Sequence, residues 1–163
     1  MRRKRRGPET GVFQDPLKNY DTPEYEDNLE RSLMDGKVGS MKVTPFTAVT
    51  PDTTVEDVMR QMDQLGVACV LVVENERLKG IFSERDVLMK VADDFASLRK
   101  QPVSRFMTPN PAAVHRTDSP AKALNLMAVS GFRHVPILDI DDRVVGILGP
   151  RRITNFIEQH FRD

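Results

Sequence analysis

From residue 38 onward the apolar and polar positions trace one pattern twice. In "VEDVMRQMDQLG" the residues Val55, Val58, Met59, Met62 and Leu65 recur at helical spacing, which predicts an amphipathic helix with one buried stripe. Thr53 and Glu56 read as its capping box. Gly66 supplies a left-handed stop. In the second tract Ser119 caps, Pro120 takes the first helical position, Ala123, Leu124 and Met127 face inward, and Gly131 ends the helix. Each helix is followed by two short β-type runs, "ACVLVV" with "LKGIF" and "HVPILDI" with "VVGIL". Polar loops, "ENER" and "DDR", join the members of each pair. A further helix closes each tract, from about Ser83 and about Pro150.

The two tracts are copies. Val38 and Val103, Val49 and Val114, Met62 and Met127, and Gly66 and Gly131 all lie 65 residues apart. After one inserted residue, Gly80 matches Gly146 and Val87 matches Ile153. Each copy opens with an extended, proline-marked lead, "KVTPFTAVTPDT" and "MTPNPAAVHRTD". The order β-α-β-β-α, twice, predicts a mixed α/β (α+β) fold with copies at 38–101 and 102–163. One copy, at about 60 residues, is marginal for independent stability. Packed sheet to sheet with quasi-twofold symmetry and helices outside, two copies would bury one shared core. Their cleft would offer two equivalent pockets.

Composition changes this picture little. Lys+Arg and Asp+Glu both number 24 in the 163 residues, so no global field points to nucleic acid or an acidic substrate. The single cysteine, Cys69, cannot form an internal disulfide and reads as a small strand residue in a reducing compartment. No apolar run approaches the roughly 20 residues of a membrane span, and a cytoplasmic location is expected. Residues 1–37 are polar and read as a largely disordered tail, with a short helix possible over 24–34. Its removal through residue 36 is expected to leave the fold intact. The "RRKRR" block reads first as a solvated basic tail, with contact to nucleic acid or anionic lipid as the lesser reading.

The copies differ in one informative place. "GIFSERDV" carries Ser83 and Asp86 where "GILGPRRI" carries Gly149 and Arg152. One reading is a helix cap, a polar side chain meeting a free backbone N–H with an acid in the first turn. The other is a ligand half-site. A carboxylate can accept two hydrogen bonds from a vicinal diol, and a hydroxyl beside a helix N-terminus suits phosphate or ribose oxygens. "GPRR" can also start a helix, so the fold itself does not demand Ser83 and Asp86.

The repeat, with "VSRFMTPNPAAV", "GFRHVPILD", "RVVGIL" and "GIFSERDV", resembles a tandem pair of CBS domains, called a Bateman module, over residues 38–161. The resemblance implies regulatory binding of an adenosine-containing ligand (AMP, ADP, ATP or S-adenosylmethionine) in the cleft. It implies no catalysis, no cofactor and no metal, and a homodimer acting through an effector protein. Ser83 and Asp86 match the family's ribose motif, and Arg85 lies between them. The same pocket would borrow Pro109 and Asn110 along the base edge, Arg133 and Arg151 for phosphate, and Phe132 with Ile81 against the base. His134 could join the phosphate side or be a satisfied core histidine, and Phe132 and Ile81 could equally be core. The opposite pocket would hold Gly149, Arg152, Ala68 and Cys69. It has no carboxylate for a diol, so one ligand per chain is expected.

Two other readings stand beside this one. An enzyme would need a reacting set, yet His115, His134 and His160 are scattered without metal-ligand spacing, and no Walker-type glycine loop is present. A ligand-free dimerisation module remains open, because exposed helix faces of such pairs can pack on a second copy.

Overall fold

The computed structural model describes residues 24–161; the basic block at residues 2–6 lies outside the described residues. A short helix α1 (Asn28–Met34) is capped by Asp27, whose carboxylate accepts the Glu30 N–H at 2.7 Å. The first copy then runs β1 (Ala48–Val49), α2 (Val55–Leu65), β2 (Cys69–Glu74), β3 (Arg77–Ser83) and α3 (Glu84–Lys90). A connecting turn of helix, α4 (Phe95–Leu98), and a two-residue strand, β4 (Thr108–Pro109), lead into the second copy. That copy contains β5 (Val114–His115), α5 (Pro120–Ser130), β6 (Val135–Leu138), β7 (Val144–Leu148) and α6 (Pro150–Phe161). The duplicated β-α-β-β-α order is the one the sequence predicts.

The helix ends follow local chemistry with one correction. The N-cap of α2 is Thr54, not Thr53: its hydroxyl accepts the Asp57 N–H at 3.2 Å and donates to the Asp57 carboxylate at 2.7 Å. Thr53 instead meets Thr50, hydroxyl to hydroxyl, at 3.0 Å. Glu56 is drawn outward to Lys100 at 2.6 Å and Arg99 at 3.0 Å, so it does not close a capping box. The stripe is also shorter than its spacing suggests, because Leu65 is 59% exposed while Val55, Val58 and Met62 are buried. Ser119 caps α5 as expected, and Gly66 and Gly131 end their helices at φ of 59° and 67°.

The sheets reveal an exchange between the copies. The first has the order β1-β2-β3-β4, with β1 parallel to β2 and the remaining pairs antiparallel. Its edge strand β4 comes from the lead of the second copy. The second sheet is β5-β6-β7, and there the lead of the first copy takes the matching edge: Ile147 N–H donates to the Val43 carbonyl at 3.1 Å. Backbone bonds repeat this reciprocity. Val38 N–H meets Asp118 O and Val103 N–H meets Thr53 O, each at 2.8 Å.

The core is accordingly two cross-fed clusters rather than the single shared core expected from repeat size. One gathers Val55, Val58, Val70, Val72 and Phe82 around Val103 of the other copy. The second gathers Val114, Val135, Ile137, Leu148 and Phe156 around Val38, Met41 and Val43 of the first. Small residues admit the exchanged leads: a Cβ on Gly80 would lie 2.3 Å from the Met107 sulfur, and one on Gly146 would lie 2.7 Å from Val43 Cγ2. Leu33 of α1 packs on the second cluster, so the segment before residue 37 contributes an apolar contact to the core. Leu33 and Leu98 are 65 residues apart, so α1 precedes its lead as α4 precedes the other.

At the hairpin tips the pseudo-symmetry is visible in charge. Arg77 pairs with Asp142 and Arg143 with Glu76, both at 3.4 Å. These exposed pairs each contribute little stability, roughly 0–1 kcal/mol. They mark the local twofold relation of the two copies.

Candidate functional site

Strand β3 delivers Ile81 and Ser83 to the cleft, and the first turns of α3 deliver Arg85 and Asp86. The second copy faces them with Phe132, Arg133 and His134 from the α5–β6 link and with Arg151 from the start of α6. All eight line one cavity of about 590 Å³, a volume within the range of small-molecule sites. Pro109 and Asn110 stand outside its wall. Pro109 pairs with Gly80 across the β3–β4 ladder. Asn110, at φ 45°, donates its N–H to Lys79 O at 3.0 Å. The edge they were expected to supply is built by Thr108, Pro111 and Ala112.

Asp86 is the one buried charged residue among those described, at 7% exposure. One carboxylate oxygen, Oδ2, accepts the Ser83 N–H at 3.0 Å and the Ser83 hydroxyl at 2.8 Å, within a capping box for α3. The other, Oδ1, accepts Lys90 Nζ at 2.6 Å and the Thr108 hydroxyl at 3.2 Å. Burial alone would raise the Asp86 pKa. The Lys90 ammonium and the two Ser83 donors outweigh it and hold the carboxyl below the usual aspartate value. The cap is thus observed at Oδ2, while Oδ1 faces Lys90 and Thr108 at the cavity.

Lys90 is the site residue the sequence reading missed. Its spacing four residues after Asp86 on a helix was the available signal. Met89, Glu84 and Ala68 also border the cavity, and Ala68 was assigned to the opposite pocket. Around this space Arg85, Arg133 and Arg151 form no ion pair among the described residues. Three exposed guanidiniums held in no ion pair suit an anion, although Glu84 shares the cavity wall with them. His134 differs from them. Its burial, reinforced by Arg133, lowers its pKa, so at neutral pH it is an uncharged hydrogen-bonding group rather than a fourth cation.

The counterpart position in the second copy is bonded within the chain. The Arg152 guanidinium donates to the carbonyls of Val43, Ile147 and Pro45. It thereby ties the lead of the first copy to the second sheet. At Gly149 a Cβ would lie 2.8 Å from the His134 ring, so a side chain there would require the ring to shift. Cys69 is buried, and that burial pushes its thiol up to about 12.

Comparison with known proteins agrees with this architecture. The CBS domain family model matches residues 38–93 and 103–159. The Meiotically up-regulated gene 70 protein of Schizosaccharomyces pombe is 29% identical over 139 residues, covering 83% of this chain and 19% of that protein. The Arabidopsis thaliana protein CBSCBSPB1 is 29% identical over 112 residues, 69% of this chain and 21% of its own length. The chain thus spans about a fifth of each of these two relatives. Among solved structures, CBSX2 in complex with AMP superposes with a TM-score of 0.66 at 25% identity, covering 76% of this chain and 96% of that one. The cytosolic domain of the Mg2+ channel MgtE in complex with ATP gives 0.62 at 28% identity, covering 78% and 51%.

Proposed function

The chain belongs to the CBS domain family as a tandem pair, and from that premise we propose that its Ser83–Asp86 cavity binds one adenosine-containing ligand per chain. In this reading the Asp86 carboxylate takes the ribose diol, and Phe132 with Ile81 packs on the base. Arg133 and Arg151, with Arg85 nearby, take the phosphate. AMP, ADP, ATP and S-adenosylmethionine are the candidates, and the AMP and ATP complexes of similar folds favour the nucleotides. The observation that carries the proposal is one of coincidence. A buried carboxylate and three guanidiniums without ion pairs, drawn from both copies, border one cavity, while Arg152 at the counterpart position is bonded to backbone carbonyls. Binding would act through a partner protein, with no catalytic step and no cofactor. Among the described residues no helix is long and apolar enough to cross a membrane, and a cytoplasmic setting is part of the proposal.

A thermal-shift series with AMP, ADP, ATP, S-adenosylmethionine and adenosine tests it. A ligand that binds the folded state raises the midpoint, by about 2.7 kcal/mol of stabilisation at a hundred times Kd. No shift with any of the five at millimolar concentration would remove the reading. A second reading, a ligand-free homodimerisation module, is favoured by a specific feature: Leu65, Leu88 and Met89 are 59%, 70% and 75% exposed on the helices of the first copy. Light scattering on the ligand-free protein tests the dimer; a monomeric mass at micromolar concentration would count against it.

A further inference from the structure

The Asp86 carboxylate has about four acceptor positions, and in this structure four donors already fill them: the Ser83 N–H and hydroxyl on Oδ2, and Lys90 and Thr108 on Oδ1. The Oδ2 pair belongs to the cap of α3 and cannot leave without fraying the helix. A diol must therefore be received at Oδ1, where the Lys90 ammonium sits at 2.6 Å. Lys90 is also anchored on its far side, because Nζ donates to the Phe106 carbonyl at 2.7 Å. That carbonyl belongs to the exchanged lead of the second copy.

We infer that Lys90 is a specificity-determining residue that occupies the diol position beside Asp86 and competes with the ligand's ribose for it. The inference rests on the reading of Asp86 as the diol acceptor and goes beyond it in assigning a second side chain, with an opposing effect, to the same subsite. The chemistry favours competition over assistance. An ammonium has donors and no acceptor, so it satisfies the carboxylate as two hydroxyls would. A neutral nucleoside gains nothing from its charge. A ligand without both ribose hydroxyls cannot displace Lys90 and leaves the pair as it stands. The charge-assisted bond at Oδ1 thus raises the threshold for every diol ligand, and the ligand's gain is the difference between two bond sets.

Titration calorimetry of wild type, Lys90→Met and Asp86→Asn with adenosine and with 2′,3′-dideoxyadenosine decides this. Lys90→Met is expected to bind adenosine about ten-fold more tightly than wild type, the value of one charge-assisted hydrogen bond, and to bind the dideoxy compound as wild type does. Equal or weaker adenosine binding by Lys90→Met, with Asp86→Asn binding lost, overturns the competition while leaving the ribose reading intact. Full adenosine binding by Asp86→Asn overturns both. If Lys90→Met does not fold, the wild-type protein still answers. The Lys90 ammonium resonance is expected to shift on saturation with adenosine and to stay in place with 2′,3′-dideoxyadenosine. A resonance unmoved by adenosine overturns the inference.

Discussion

Replacing Asp86 by asparagine keeps an oxygen for the Ser83 N–H and removes the charge that Lys90 and Thr108 meet. Nucleotide affinity is expected to fall about ten- to a hundred-fold, the loss of hydrogen bonds to a charged group, as read by calorimetry. Because the carboxylate also caps α3, alanine would add a stability cost of about 1 kcal/mol. Affinity and stability then fall together, and asparagine is the cleaner probe. The carboxyl is held below its ordinary value of about 3.9. A depressed folded pKa gives stability that is present above the unfolded value and lost as pH falls through the folded one. The stability gap between wild type and Asp86→Asn is therefore expected to close as denaturant titrations move from pH 6 to below pH 4. A gap constant over that range would contradict the ion pair. Arg152 presents the opposite case. Arg152→Ala removes a donor from the carbonyls of Val43, Ile147 and Pro45, of which Val43 keeps the Ile147 N–H and Pro45 can turn to water. It is expected to cost about 1 kcal/mol of stability while leaving nucleotide affinity unchanged.

At the scale of elements, the exchanged leads decide which substitutions matter to which copy. Val103 belongs by sequence to the second copy, yet it is fully buried in the first cluster. Val103→Ala is expected to cost about 2 kcal/mol in removed methyl groups and residual cavity. Its amide-exchange protection is expected to fall in β2 and β3 before β6 and β7; loss confined to β6 and β7 would contradict the exchange. The helices, the hairpins and both glycine stops were legible in the sequence because their signals are local: apolar spacing, Ser119 with Pro120, and a left-handed residue at Gly66 and Gly131. The exchange was not legible, since Val38 and Val103 look the same whether they pack on their own copy or the other. Ser83, Asp86, Arg133 and Arg151 could be picked out as a polar set, and the fold gathers them. Lys90 escaped notice because its spacing four residues after Asp86 is a common surface pairing on helices, and only the burial of that carboxylate sets it apart. Pro109 pairs with Gly80 in the ladder of β3 with β4, a register the sequence did not announce, and it and Asn110 lie beside the cavity lining rather than in it.

For the whole molecule, the duplication supplies two clefts and the sequence has spent them differently. One keeps a buried carboxylate on the first copy and guanidiniums on the second. At the other, Arg152 is bonded to backbone carbonyls, and a side chain on Gly149 would press on the His134 ring. The pseudo-symmetric pairs Arg77–Asp142 and Arg143–Glu76 survive on the surface, so the asymmetry is local to the clefts rather than a general drift of the second copy. Stoichiometry reads this arrangement most directly. Titration calorimetry of the full chain with AMP and with ATP is predicted to give one site per chain, weakened by Asp86→Asn and untouched by Arg152→Ala. Two sites of similar affinity per chain, or a single site indifferent to Asp86→Asn, would contradict it.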